Sequence, residues 1–173
     1  MGNTLFQNSQ YASAVLLVVG SIGMVADKPS TFMMTPRGIR NCNPLNIRRS
    51  ADKWKGLKTQ QTDTAFCQFE NMEWGWRAAF CVLTRTYYSN YRLNTIRSII
   101  GRWAPPSENN TQAYIDHVCR LTGIGPDEPL GIPDNQPARW MSVAAAMAIH
   151  ENGTPAIDYF ALLRGWQLCR GNL

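Results

Sequence analysis

Glu151 has the most unusual setting of any carboxylate in this chain. It follows the apolar, alanine-rich run Met141 to Ile149 and His150, and it precedes Asn152-Gly153. The run reads as a helix with Gly153 as its C-cap, so Glu151 falls in the last turn. An anion is badly placed there, because the helix dipole is negative at that end and apolar neighbours remove water. A glutamic acid that holds a proton is what a glycosidase or transglycosylase needs to protonate a leaving oxygen. The ordinary alternative is an exposed terminal glutamate paired with Arg139 or His150. A second carboxylate nearby would strengthen the catalytic reading. Glu70, Glu73, Asp63 and Asp116 are the available ones.

The second concentration of chemistry is Arg37-Gly38-Ile39-Arg40-Asn41-Cys42-Asn43-Pro44-Leu45-Asn46-Ile47-Arg48-Arg49. Asparagines bond backbone groups in turns. Arginines offer forked donors to carboxylates, phosphates or sugar hydroxyls, and Pro44 biases Asn43 away from helix. The block reads as an ordered, polar, non-helical loop that lines something, or as a surface turn held by its own side chains. Among the tryptophans, Trp54 and Trp74 are free to stack on sugars, whereas Trp76 and Trp103 lie on apolar stripes and read as core. No G-x-S-x-G or phosphate-binding loop is present. Cys119 with His117 or His150 is a weak nucleophile pair, because Cys119 sits on a core-like helix.

The elements that position these residues follow from periodicity. Asn71 caps a helix from about Met72 to Tyr88, with Trp76, Phe80, Leu83 and Tyr87 on one face. A second helix starts after Asn94, carries Ile96, Ile99, Ile100 and Trp103, and stops at Pro105-Pro106. A third runs from Thr111 to Gly123 and buries Tyr114, Val118 and Leu121. A fourth spans about Ala138 to His150, and a fifth runs from Pro155 to Leu163 and stops at Gly165. Trp54-Lys55-Gly56 reads as a turn and Thr64 to Phe69 as strand-like, so a small β-hairpin is expected near residues 54–69. The fold class expected is mainly α, a helical bundle with that minor β element.

Composition bounds the partners. A chain of 173 residues suits one domain. The net charge of +5 favours a polyanionic partner such as nucleic acid, an anionic lipid surface or a bacterial wall. No nucleic-acid-binding motif accompanies the basic cluster, so no specific nucleic-acid partner is expected. The five cysteines are widely spaced, show no C-x-x-C and no zinc spacing with His117 or His150, and read as reduced apolar residues. No metal and no cofactor is expected. Residues 1–34 read as an N-terminal extension with an apolar segment at 12–26. That segment is short for a membrane span and lacks a preceding Lys or Arg. Extension, signal peptide and membrane anchor rank in that order.

The block from Arg37 to Arg48 resembles the RGIRNNNPxNIR signature of a family of phage and prophage proteins. Trp54-Lys55-Gly56, Phe66 to Phe69, Gly75 to Ala78, Thr95 to Ile100 and Trp103 to Ile115 resemble its later blocks in order. Cys42 stands where asparagine is usual. Members are generally described as virion or structural proteins. The block order is also similar to that of wall-degrading glucosaminidases and lytic transglycosylases. In those enzymes the catalytic glutamate lies on a helix before the asparagine loop, and here no glutamate precedes Asn41.

The resemblance leaves two readings. Residues 35–173 form a circularly permuted lysozyme-like domain in which the helix ending at Glu151 replaces the missing one, or they form a shell that has lost its acid. The first implies cleavage of peptidoglycan glycan strands. Glu151 is then the general acid and Tyr114 positions the sugar, with Arg40, Asn41, Asn43, Asn46 and Trp54 lining the cleft. The second implies a non-enzymatic virion or assembly protein with other virion proteins as partners. Either product is made in the bacterial cytoplasm and acts in the virion or at the cell wall or periplasm.

Overall fold

The computed structural model describes residues 35–171, so the apolar segment at 12–26 lies outside the described residues. The architecture is mainly helical. One short turn, α1 (Arg37–Arg40), is followed by α2 (Met72–Cys81), which continues into a π-helical segment, Val82–Asn90. Then come α3 (Ile96–Trp103), α4 (Thr111–Thr122), α5 (Pro137–Asn152) and α6 (Tyr159–Arg170). No helix among the described residues is long and apolar enough to cross a membrane.

Helix α5 is the centre of the molecule. Trp140, Met141 and every residue from Val143 to Ile149 are buried. A helix that is apolar all round has to be covered all round, and α1, α4 and α6 pack on it. The amphipathic α3 buries Ile96, Ile99 and Ile100 against α4, and its capping box on Thr95 and Ser98 fixes where it begins. Asn71 caps α2 by accepting from the Trp74 amide, as its type and position require.

Helices α2 and α6 form the closest helix pair. Trp76 and Phe80 stack at 5.8 Å, and Trp166 meets Phe80 edge-on at 5.1 Å. Gly165 makes this approach possible, since a β-carbon there would lie 2.3 Å from Cβ of Trp76. The sequence predicts a helix from Pro155 to Leu163 with a stop at Gly165. The helix instead begins at Tyr159, runs through Gly165 and is capped at Gly171, which has φ of 76°. Gly165 therefore serves packing, and Gly171 supplies the left-handed cap.

Two other expectations are corrected. The expected β-hairpin reduces to two isolated antiparallel bridges, Arg48 with Phe66 and Leu57 with Phe69. Side chains replace the ladder: the Gln61 side chain donates to the Gln68 carbonyl and accepts from its amide, Gln68 accepts from the Thr62 and Asp63 amides, and Asn43 donates to the Cys67 carbonyl. The start of the Arg37 block is also one turn of helix and not loop.

Gly165→Ala should destabilise the fold by about 2–3 kcal/mol or more, because the added methyl meets Trp76 and the α2 backbone with no room to relax. Urea unfolding followed by circular dichroism measures this, and a change below about 0.5 kcal/mol would show that the two helices can separate freely.

Candidate functional site

The Arg37–Arg49 block is built to hold its own shape and to dock on the end of α5. Arg37 grips Asp63 through both carboxylate oxygens at 2.6 and 2.7 Å, and Asn41 donates to the same carboxylate at 2.7 Å. Asp63 also accepts from the Ala65 and Phe66 amides. The Arg37 pair, then Asn41 and the Phe66 amide, hold the Asp63 carboxyl well below the usual carboxylate range. Asn43 is fully buried. It donates to the Ile47 and Cys67 carbonyls and accepts from the Ile47 amide, so its side chain is spent on the loop.

The backbone of the block takes two left-handed residues, Cys42 with φ of 50° and Asn46 with φ of 51°. Asparagine tolerates that region far better than most residues. Cys42 therefore holds a backbone conformation that asparagine would hold more easily. Gly38 is needed because a β-carbon there would lie 2.4 Å from Oδ1 of Asn152. Asn152 in turn donates to the Pro44 carbonyl at 2.9 Å. The loop is thereby clamped onto the last turn of α5.

The clamp brings Asn46 to Glu151. Nδ2 of Asn46 donates to Oε2 of Glu151 at 3.1 Å. Oε1 accepts from two further groups, Nε1 of Trp103 at 3.1 Å and the Tyr114 hydroxyl at 3.0 Å. The three donors come from three different places: the loop, the last residue of α3, and the first turns of α4. Glu151 itself sits in the last turn of α5, two residues before the Gly153 cap, which has φ of 61°.

Tyr114 is buried, and burial first, then the Glu151 charge and hydrogen bond, hold its phenol well above the ordinary range. It is a neutral donor at any ordinary pH. Its hydroxyl also lies 3.4 Å from the Met147 carbonyl, which gives it a second acceptor to turn to. The His150 ring stacks on the Tyr114 ring at 3.7 Å between centroids and shares a hydrogen bond with His117 at 3.0 Å. Burial, then the neighbouring His117, keeps His150 below its usual range, so this back wall is uncharged near neutral pH.

Glu151 opens on a cleft of about 460 Å³. Asn46, Trp54, Phe66, Tyr87 and Trp103 supply its amide and aromatic lining, and Asp52, Glu108 and Arg48 its charges. Tyr87 comes from the π-helical segment and meets Trp103 edge-on at 6.1 Å, which steadies the ring that donates to Glu151. Arg48 and Glu108 face each other across the exposed rim at 3.7 Å. An exposed pair of this kind contributes little and can part for a ligand.

The geometry sorts the residues singled out in the sequence. Glu151, Tyr114, Asn46 and Trp54 are at the cleft or directly behind it. Asn43 and Asn41 are not cleft residues; both are buried, Asn43 bonded to Ile47 within the loop and to Cys67, and Asn41 bonded to Asp63 and Gln68. Arg40 is exposed and is not among the cleft's lining. Trp103, read as a core residue, proves to be a donor to Glu151. Its ring is half-buried on an apolar stripe, and only the Nε1 group reveals the second role. None of Glu70, Glu73, Asp63 or Asp116 lines the cleft. The carboxylates that do so, Asp52 and Glu108, lie in polar loops that give no periodic signal. Among the described residues no cluster of three His, Cys, Asp or Glu is arranged to hold a metal ion.

No family model matches the chain. It is similar to Protein P5 of Pseudoalteromonas phage PM2, 36% identical over 159 residues that cover 90% of this chain and 95% of that protein. That coverage exceeds what residues 35–173 alone can supply, so the similarity reaches into residues 1–34.

The Asp63 network yields a pH-dependent prediction. A carboxyl lowered on folding stabilises fully above its unfolded value of about 3.9 and progressively less below it. Asp63→Asn should therefore lower the thermal midpoint at pH 7, and the gap from the native chain should narrow between about pH 4 and pH 2. Melting curves across that range test this; a gap that is constant with pH would show that the loss is one of packing and not of charge.

Proposed function

The chain belongs to the family of Protein P5 of Pseudoalteromonas phage PM2, and from that premise we propose that it is a phage-type peptidoglycan-degrading glycosidase or lytic transglycosylase with a single general acid, Glu151. The observation that carries the reading is the company Glu151 keeps. Asp63, Asp127, Glu128, Asp134 and Glu108 each face an arginine. Glu151 faces three neutral donors at the head of a cleft and, among the described residues, no cation. A structural carboxylate is neutralised for good by an arginine. Glu151 has no standing counter-ion among the described residues, so its carboxyl stays available to a ligand in the cleft.

The donors suit the chemistry. As Glu151 passes its proton to the glycosidic oxygen, charge develops on its carboxylate. Asn46, Trp103 and Tyr114 are already aimed at it, and hydrogen bonds to a charged group are the stronger ones. In the acid form, the Tyr114 hydroxyl turns to the Met147 carbonyl and leaves its oxygen to accept from Glu151. The aromatic faces of Trp54, Trp103 and Tyr87 suit sugar rings, and the amides of Asn46 and Asn109 suit their hydroxyls. The net positive charge aids approach to an anionic wall. A lysozyme-like arrangement in permuted order fits the placement of the acid after the loop it faces. The substrate would then be the peptidoglycan glycan strand, met from the virion or in the cell wall.

The second reading is a non-enzymatic phage particle or assembly protein. Family membership supports it directly, since the relative is a phage protein whose name carries no activity. On that reading the cleft binds glycan or another virion protein without cleaving it.

Glu151→Gln keeps size and shape while removing the proton donor. Release of soluble fragments from purified peptidoglycan should fall at least about 100-fold, with circular dichroism unchanged. Tyr114→Phe removes one donor of three and should cost about 10- to 100-fold. Full activity in Glu151→Gln would remove that residue from the role, and inactivity of the native chain on every wall type would favour the particle protein.

A further inference from the structure

Cys81 ends α2 and Cys169 lies in the last turn of α6, 88 residues later. Their Sγ atoms stand 2.9 Å apart, and both side chains are buried. A covalent S–S bond is about 2.05 Å, so closing this gap takes less than about 1 Å of movement. No other pair of cysteines is in contact: Cys67 faces the Arg48 carbonyl, and Cys42 and Cys119 are half-buried and separate. The Gly165 contact with Trp76 holds the two helices close together.

The surroundings favour reaction at one sulfur. The contact with Cys169, with Arg77, Arg85 and Arg170 nearby, brings the Cys81 thiol down to about 7. Cys169 is pushed the other way by the same contact and by burial, and stays protonated. Arg85 donates to the Cys169 carbonyl and Arg170 to the Thr84 hydroxyl, which anchor the end of α6 beside the pair. A thiolate beside a thiol is the starting state for disulfide formation.

We propose that Cys81 and Cys169 are an oxidation-sensitive pair that closes to a disulfide and ties α6 to α2. The oxidant is a peroxide small enough to reach buried sulfur. The Cys81 thiolate attacks the O–O bond, takes one oxygen as a sulfenic acid and releases hydroxide. The Cys169 sulfur then attacks Cys81, the S–O bond breaks, and the hydroxide that leaves takes the Cys169 proton. Two thiols and one hydrogen peroxide give one disulfide and two waters. Cys81 directly precedes Val82, the first residue of the π-helical segment that supplies Val82 and Tyr87 to the cleft. The bond therefore fixes the root of one cleft wall, whatever the cleft acts on.

The test uses the full chain, fully reduced and then exposed to hydrogen peroxide. Remaining thiols are alkylated and the protein is digested without reduction for mass spectrometry. The expected result is a cross-linked peptide pair holding Cys81 and Cys169, three alkylated cysteines, and a thermal midpoint at least about 5 °C higher than in the reduced chain. Cys169→Ser should lose both the link and the shift. Five alkylated thiols in the native chain, a link at another pair, or overoxidation of Cys81 without a link would overturn the proposal. A midpoint shift that persists in Cys169→Ser would also overturn it. If that variant fails to fold, the peptide map of the native chain decides alone.

Discussion

A half-buried carboxylate at the C-terminal end of a buried helix must find hydrogen-bond partners, and the choice of partner shapes this molecule. The helix dipole opposes the charge on Glu151. An arginine in reach would remove the difficulty and fix the ion. The fold answers with an amide, an indole and a phenol, drawn from a loop, from the end of α3 and from α4. Each donor has to be held from behind. Trp103 leans on Tyr87, Tyr114 lies on His150, and Asn46 is set by the loop clamp on Asn152. Much of the polarity around the end of α5 serves as support for that one group.

The loop from Arg37 to Arg49 carries most of the cost. It has no regular ladder to satisfy its backbone, so Asn43, Gln61 and Gln68 do so with side chains, and Asn41 ties Gln68 to Asp63. Asp63 gathers Arg37, Asn41 and two amides into one knot. Two left-handed residues and a glycine with no space for a β-carbon let the chain turn back onto α5. A loop built this way is rigid without being apolar. It can present an amide at a fixed distance from a carboxylate while leaving a cleft open beside it.

The sequence revealed the helices where periodicity and caps agreed, as at Asn71, Thr95 and Gly153. It misled where one residue type serves two purposes. Gly165 looks like a stop and is a packing contact; Trp103 looks like core and also donates. The asparagines look alike as letters, yet Asn43 is buried in the loop's own bonds and Asn46 reaches Glu151, a difference of backbone direction that composition does not carry. The Cys81 and Cys169 contact is invisible in spacing, because it depends on how two distant helices pack. Glu151 stands out in the sequence as an acid between an alanine-rich helix and a glycine cap, but its three donors come from elements far from it in the chain and are not legible there.

The central claim is that Glu151 delivers a proton to a glycan strand. Mass spectrometry of the muropeptides left after the native chain has acted on purified peptidoglycan tests it most directly. The account predicts new glycan-chain ends, either reducing sugars or anhydro sugars, with the peptide stems intact. An unchanged muropeptide profile across several wall types, or cuts confined to the peptide stems, would contradict it.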